Sequence, residues 1–181
     1  FFSITLDEEH SCEQEYVRNT AIVRTVLTTP SGASLAITDF APRFIQHDRR
    51  FRPPMVIRRV EPLKGLCRIR VKMRPRMGYG AIDGEGVGGS NHIRFSAGPS
   101  GFRLTTDAPV THVLSESAFV LARPLTFILH SDETFQDSIS RIARDFEERT
   151  CDYLHHWVRQ LSVPFEWQSA VIRAAITLKL C

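Results

Sequence analysis

Residues 17–40 read VRNTAIVRTVLTTPSGASLAITDF and carry the clearest structural signal in the chain. Threonine, valine, isoleucine and leucine are frequent on both sides of Pro30-Ser31-Gly32, which is a typical turn sequence. We therefore predict one long strand over residues 17–29 and a second strand over residues 33–40 that pairs back on it as a hairpin.

Short runs of the same character continue on both sides of this hairpin as far as residue 130. The other predicted strands lie at residues 1–6, 56–62, 66–74, 92–97, 102–106, 111–114, 119–122 and 125–130. We expect strands 56–62 and 66–74 to pair around Lys64-Gly65, and the glycine-rich residues 78–89 to form a long loop. Many short strands separated by glycine and proline are typical of an antiparallel β-sandwich.

The hydrophobic period changes to that of a helix near Ser131. From there, apolar residues recur at helical spacing, at Phe135, Ile139, Ile142, Phe146, Tyr153, Trp157 and Leu161. This spacing predicts a long amphipathic helix over residues 134–161 and, after a short corner, a second helix that begins at Pro164. The chain thus divides into a β-sandwich at residues 1–131, a linker helix at 132–163 and a further helix at 164–181.

The second predicted helix is apolar and has no closing signal. Its apolar stripe comprises Trp167, Val171, Ala174, Ala175 and Leu178, and no glycine, asparagine or proline follows Leu180. Such a stripe needs something to pack against. We therefore expect the chain to be a piece of a longer protein, and Trp157 and Trp167 to pack in its core. The stripe would otherwise promote self-association.

Composition narrows the class of protein. The 181 residues are 43% hydrophobic, enough to bury a real core, and the net charge of +3 is too small to argue by itself for a nucleic-acid partner. Cys12, Cys67, Cys151 and Cys181 are far apart, which favours free thiols in a reducing compartment. We see neither a signal peptide nor an apolar run of membrane-spanning length, and expect a cytoplasmic protein without a membrane partner.

Two motifs could hold a cofactor or a metal ion, and neither is convincing. The run Gly84-Glu85-Gly86-Val87-Gly88-Gly89 matches GxGxxG, but a strand-like segment follows it where a dinucleotide fingerprint requires a helix. Cys151 and His155, like Asp152 and His156, lie four residues apart on one helix face. Two such ligands do not make a metal site. We assign no cofactor-binding or metal-binding residue.

Acidic residues are candidates for acid–base chemistry, because glycoside hydrolysis needs two carboxyl groups across a cleft. The candidates are Glu8, Glu9, Asp39, Asp83, Glu85, Asp132, Glu133, Glu147, Glu148 and Glu166. Glu147 and Glu148 belong to the charged flank of the long helix, Glu166 to the first turn of the next, and Asp39 to a strand end. None has a sequence context that demands catalysis, and we assign no catalytic residue.

A basic strand provides the strongest binding signal. Arg68, Arg70, Lys72, Arg74 and Arg76 alternate with apolar residues or proline, so a strand would place them on one face. Further arginines precede them at positions 49, 50, 52, 58 and 59. The face could bind phosphates. The alternative, which we favour, is a solvated or domain-facing surface that acidic residues of adjacent strands neutralise.

Several ordered pieces of the chain resemble one family, the bacterial and archaeal glycoside hydrolase family 15 proteins of the glucoamylase and trehalase-like group. The matching pieces are residues 14–20 (QEYVRNT), 27–32 (LTTPSG), 37–42 (ITDFAP), 57–60 (IRRV), Arg74-Pro75, Tyr79-Gly80, 157–159 (WVR) and 167–180 (WQSAVIRAAITLKL). They run in family order over nearly the whole chain, and residues 171–180 match most sharply.

The resemblance implies a large, curved β-sandwich, a linker helix and the first helix of an α/α toroid. In that family the catalytic acid and base are glutamates of the toroid, in an inverting α-glucosidase type of enzyme, and this chain does not contain them. We therefore expect a non-catalytic fragment of a hydrolase of α-glucosides. Its partner would be the helical catalytic domain of the same polypeptide, which alone would bind an α-glucan or trehalose-like substrate.

A second class of function remains open. The chain could be an autonomous module that binds a glycan or a polyanion through the basic strand face from Arg68 to Arg76. Glycan-binding modules commonly expose aromatic side chains for stacking on sugar rings. Here both tryptophans lie in the predicted C-terminal helices at core spacing.

Overall fold

The computed structural model describes residues 1–97 and 100–181, which form antiparallel strands followed by two long helices. The strands are β1 (Phe2–Leu6), β2 (Ser11–Tyr16), β3 (Val23–Thr28), β4 (Ser34–Phe40), β5 (Phe44–Gln46), β6 (Arg49–Phe51), β7 (Val56–Lys64), β8 (Arg68–Met73), β9 (Arg76–Met77), β10 (Ile82–Asp83), β11 (Glu85–Gly88), β12 (His92–Ala97), β13 (Ser100–Thr106), β14 (Phe119–Val120) and β15 (Leu125–His130). The helices are α1 (Val110–Leu114), α2 (Ile139–Arg159) and α3 (Gln168–Leu180).

Two sheets pack face to face and confirm the predicted β-sandwich. The large sheet has the strand order β11-β12-β13-β15-β7-β4-β3-β2, and the small sheet has the order β1-β8-β14. Their inner faces share one apolar core, to which Ile37, Leu104 and Phe127 contribute from the large sheet and Ile4 and Val71 from the small sheet. Alternate residues of each strand enter this core, which explains the period of two in the sequence.

Helix α2 covers the opposite face of the large sheet. A second apolar cluster joins Phe40, Ile57 and Ile128 of that face to Ala143 and Phe146 of the helix. The molecule thus has three layers: α2, the large sheet and the small sheet. Near its centre the large sheet is therefore covered on both faces, and the side chains on both faces are apolar there.

The predicted pairing of strands 56–62 and 66–74 is wrong. Strand β7 pairs with β4 and β15 in the large sheet, whereas β8 pairs with β1 and β14 in the small sheet. The chain changes sheets at Gly65, which has a positive φ of 66° and lies so close to Ala33 that a Cβ would stand 3.1 Å from that side chain. Lys64-Gly65 is therefore a crossing point and not a hairpin turn.

The predicted strand over residues 17–29 is a turn followed by a single shorter strand, β3. Residues 17–22 form the turn between β2 and β3, where Asn19 adopts a positive φ of 57° and the Thr20 hydroxyl accepts from the Ile22 N–H at 3.1 Å. Asparagine tolerates this backbone region better than most residues, and a threonine hydroxyl can replace a ladder hydrogen bond. The second half of the prediction is confirmed, because β3 and β4 form an antiparallel hairpin.

The glycine-rich segment contains strands where we predicted a loop. Strands β9 and β10 pair with each other, and β11 pairs with β12 at the edge of the large sheet. The glycines allow close packing: a Cβ on Gly86 would lie 2.9 Å from the Phe95 ring, and one on Gly88 would lie 2.8 Å from Leu114. Residues 111–114, predicted as a strand, belong to α1, which packs against β8 and β11.

The two C-terminal helices begin later than predicted. Helix α2 begins at Ile139 rather than Thr134, and α3 begins at Gln168 rather than Pro164. Trp167 has a φ of 61°, in the left-handed region, so the segment around Pro164 and Glu166 cannot continue into the helix. In the part of the chain that the structure describes, no helix has the length and apolar character needed to cross a membrane.

Candidate functional site

The basic strand face is real and lies on the outside of the small sheet. Arg68, Arg70 and Lys72 of β8 alternate with the core residues Ile69 and Val71. Strand β1 places Ser3 and Thr5 beside Lys72 and Arg70 on the same outer face. The side chains therefore stand in a row on a surface that could be reached by a ligand.

Acidic residues neutralise most of this row. Asp7, just after β1, accepts from Arg70 at 2.6 Å and lies 3.8 Å from Arg68. Glu116 and Arg74 form two parallel hydrogen bonds of 2.6 Å. This contact lowers the pKa of the Glu116 carboxyl and raises the pKa of Arg74. The arrangement favours a solvated, internally balanced surface over a phosphate-binding stripe.

The last arginine of the row, Arg76, is also paired. It leaves the small sheet in β9 and lies 3.0 Å from Asp83 of β10. Each arginine that we proposed as a polyanion ligand on this face thus already has a carboxylate partner. A polyanion would have to displace these contacts to bind.

Four of the ten candidate carboxylates are occupied by arginines. They are Asp39, which pairs with Arg58; Asp83, which pairs with Arg76; Asp132, which pairs with Arg94 and Arg103; and Glu147, which pairs with Arg59. Asp39 is the penultimate residue of β4 and so lies at a strand end, as predicted. We predicted Glu166 in the first turn of the second helix, and this is wrong, because Glu166 lies before α3.

The pair of Arg58 and Asp39 is the best formed of these. Arg58 donates to both carboxylate oxygens of Asp39, at 2.6 and 2.9 Å, and to the Phe2 carbonyl at 3.0 Å. Its guanidinium also lies over the Phe2 ring, 4.4 Å from the centroid. Since both side chains are largely buried, these contacts link the two sheets at their margin and have a structural role.

Cys151 and His155 meet on α2 as predicted, but they form no wider site. The Cys151 sulfur lies 3.7 Å from His155 Nδ1, and His155 Nε2 is 2.9 Å from the Arg18 carbonyl. Burial raises the pKa of the Cys151 thiol, and Asp152 and Glu147 raise it further. Among residues 1–97 and 100–181, no group of three or more potential ligands could hold a metal ion.

Sequence reasoning missed the hairpin β5–β6. Its two strands pair with each other alone, and its tip residues His47 and Asp48 have positive φ values of 48° and 58°. Two-residue hairpin turns of this kind normally contain glycine after asparagine or aspartate, and the pair His47-Asp48 lacks that glycine, which explains why the hairpin was not predicted. The hairpin lies beside α2 and exposes Arg49 and Arg50.

Helix α3 has apolar residues on two faces. Ile172 and Ile176 are buried against the rest of the molecule, whereas Trp167 is 80% exposed and Leu178 is 77% exposed. We call Val171, Ala174 and Leu178, which share one face of the helix, together with Trp167, which immediately precedes the helix, the outer stripe of α3; Val171 is the half-buried member. The predicted core role of Trp167 is therefore wrong within this chain. Trp157 is half-buried, with the Lys179 ammonium 5.1 Å from its ring.

Buried and half-buried arginines hold α3 in place. The Arg43 side chain donates to the Leu180 carbonyl at 3.3 Å, and its backbone N–H donates to the Thr150 hydroxyl of α2 at 3.1 Å. On the other side, Arg173 donates to the Thr20 carbonyl at 2.7 Å and stacks on the Tyr16 ring. The inner face of α3 is thus fixed, which leaves the outer stripe as its free surface.

Comparisons with protein-family models, with curated proteins and with solved structures gave no match for this chain.

Proposed function

We propose that this chain is the non-catalytic β-sandwich region of a glycoside hydrolase that acts on α-glucosides, and that a helical catalytic domain of the same polypeptide packs on its outer stripe of α3. One observation carries the proposal: α3 has apolar residues on two faces, and the rest of the chain covers only one of them. The ordered resemblance to glycoside hydrolase family 15 suggests that the covering partner is the helical catalytic domain of such an enzyme.

The energetics favour a covering partner. A surface helix normally has one apolar face and one polar face. Covering a large apolar side chain contributes about 1.5–3 kcal/mol, and two members of the outer stripe, Trp167 and Leu178, are mostly exposed. Phe165, in the segment before α3, is fully exposed as well. Helix–helix packing is the usual way to cover such a stripe, and an α/α toroid consists of packed helices.

In this proposal the chain has a structural role, which is to support the helical catalytic domain. Hydrolysis by two carboxyl groups requires an acid and a base across a cleft, and several acidic residues of this chain are held by arginines. The sandwich would fix the position of α3, through Arg43 and Arg173, and α3 would fix the neighbouring helices. The basic face of β8 would remain a balanced outer surface.

The nucleotide sequence of the gene provides a test of this proposal. We expect the reading frame to continue after the codon for Cys181 into a helix-rich region that contains catalytic glutamates. A stop codon at that point would contradict the proposal. A protein that contains both regions should hydrolyse α-glucosides, and Leu178→Glu should reduce its stability, because the charge would enter the domain contact.

A further inference from the structure

We propose that the hairpin β5–β6 binds the phosphate group of a small phosphorylated ligand. Gln46, His47, Arg49, Arg50 and Phe51 line a concavity of about 490 Å³ on this hairpin. That volume lies within the range of small-molecule sites. The inference rests on the hairpin alone and does not depend on the function proposed above.

The arginines of the hairpin differ from those of β8 in one decisive respect. In the described part of the chain, Arg49, Arg50 and Arg52 form no ion pair, whereas Arg68, Arg70 and Arg74 are each paired with a carboxylate. The exposed arginines of the β8 face are thus paired with carboxylates of the same chain. Those of the hairpin are free to bind an anion from outside the chain.

The hairpin is also rigidly mounted. Phe44 stacks on Phe51 with ring centroids 4.8 Å apart, and both rings contact Phe146 of α2 at 5.3 Å. The Arg149 guanidinium also lies over the Phe44 ring, 3.8 Å from the ring centroid. Such aromatic packing fixes the two strands against α2, so little backbone conformational entropy is lost when a ligand binds.

The lining residues provide the donors that a phosphate group needs. Each guanidinium offers a planar fork of N–H donors, which suits two oxygens of one phosphate, and arginine is preferred over lysine for such recognition. Gln46 and His47 add hydrogen-bonding groups beside the two arginines. Asp48, at the tip, does not line the concavity, so the lining carries no carboxylate.

Extended polyanions fit the hairpin less well than a small ligand does. Each strand has only three residues, and the arginines line one concavity rather than a track. Nucleic acid binds along a row of charges, commonly with exposed aromatic rings that stack on bases. Phe51 does not provide such a ring, because it packs against Phe44 and Phe146.

Calorimetric titration of the chain with inorganic phosphate and with pyrophosphate tests the proposal. We expect saturable binding that weakens as salt is added, and at least a tenfold loss of affinity in the double variant Arg49→Gln/Arg50→Gln. The matched control is Arg68→Gln/Arg74→Gln, which removes the same charge from the paired face and should retain the affinity. Circular dichroism of both variants establishes that each is folded.

Three results would overturn the proposal. The first is no saturable binding of either phosphate compound. The second is an equal loss of affinity in the two double variants, which would show a general effect of net charge. The third is tighter binding of citrate, of a glutamate-rich peptide or of a single-stranded oligonucleotide than of pyrophosphate, which would show that the hairpin recognises another class of anion.

Discussion

At the scale of single residues, the distinction that matters is between charges that the fold balances and charges that it leaves free. Arg58 is balanced by Asp39 at the margin of the sandwich, and Arg59 by Glu147 and Glu61 beneath α2. The sequence showed where basic residues cluster but not which of them had partners. Those partners, such as Glu147 for Arg59, come from segments far away in the chain.

The pair of Arg58 and Asp39 should contribute measurably to stability. Because both side chains are largely buried and the contact is bidentate, we expect Arg58→Ala to lower the free energy of unfolding by about 2–4 kcal/mol. Urea denaturation measures this. The control is Arg141→Ala, which breaks an exposed pair between Arg141 of α2 and Asp137 just before the helix and should cost about 0.5 kcal/mol or less. Equal effects of the two substitutions would contradict this account.

His130 should make the protein sensitive to acid. Burial lowers the pKa of its imidazole, and the nearby Arg103 lowers it further. The unfolded chain, with a histidine pKa of about 6.5, therefore binds a proton more readily than the folded chain does. The stability that depends on neutral His130 is complete above that pH and is lost as the pH falls below it.

The measurement is the free energy of unfolding between pH 5 and pH 8. We expect the decrease below about pH 6.5 to become shallower in His130→Gln. The unsubstituted chain provides the reference slope. An unchanged slope in His130→Gln would show that the imidazole charges without cost in the folded protein.

At the scale of elements, local patterns predicted single strands well and their pairing poorly. Strands β12 and β15 have the predicted bounds, because alternation alone identifies a half-buried strand. The pairing of β7 and β8 was wrong, because the side chains on either side of Gly65 cannot show that the next strand joins another sheet. Helix α1 was missed because its burial against β8 and β11 outweighs the strand preference of its valines.

The candidate sites were predicted less well than the fold. The basic row on β8 was visible in the alternation of Arg68, Arg70 and Lys72, but its partners Asp7 and Glu116 were not, since only tertiary folding brings them there. The hairpin β5–β6 was missed entirely, because His47 and Asp48 are not typical residues of a tight hairpin turn.

The glycine-rich edge of the large sheet gives a prediction at this scale. Because a Cβ on Gly86 would lie 2.9 Å from the Phe95 ring, Gly86→Ala should force these elements apart and cost about 1–3 kcal/mol. Thermal unfolding measures the cost. Val87→Ala, at the exposed neighbouring position of β11, should be nearly neutral. A neutral Gly86→Ala would show that the edge strand gives way easily.

At the scale of the whole molecule, two cores on either side of one sheet make a stable platform, and α3 stands at its side with one face uncovered. Sequence periodicity located the apolar stripe of α3, although Ile172 and Ile176 rather than Trp167 proved to be the buried members. The stripe and the sandwich together define the proposed support for a helical domain.

This chain by itself should not hydrolyse maltose, maltooligosaccharides or trehalose. In the proposed function the acid and base belong to the helical domain, and one positioned acid with one base is the minimum for the reaction. Release of glucose in a coupled assay measures activity. Turnover that disappeared on substitution of a single glutamate or aspartate of this chain would contradict the proposal.

We propose that the outer stripe of α3 is normally covered by another domain, and sedimentation velocity measures how the chain behaves when that domain is absent. Burial contributes ~25 cal/mol per Å² of apolar surface, so without a covering domain the stripe should be buried by association of two or more copies. We therefore predict a dimer or larger species for the 181-residue chain. Leu178→Glu should shift the chain to monomer while circular dichroism shows the helix retained. A monomer at all concentrations for the unsubstituted chain, with α3 ordered, would contradict the claim.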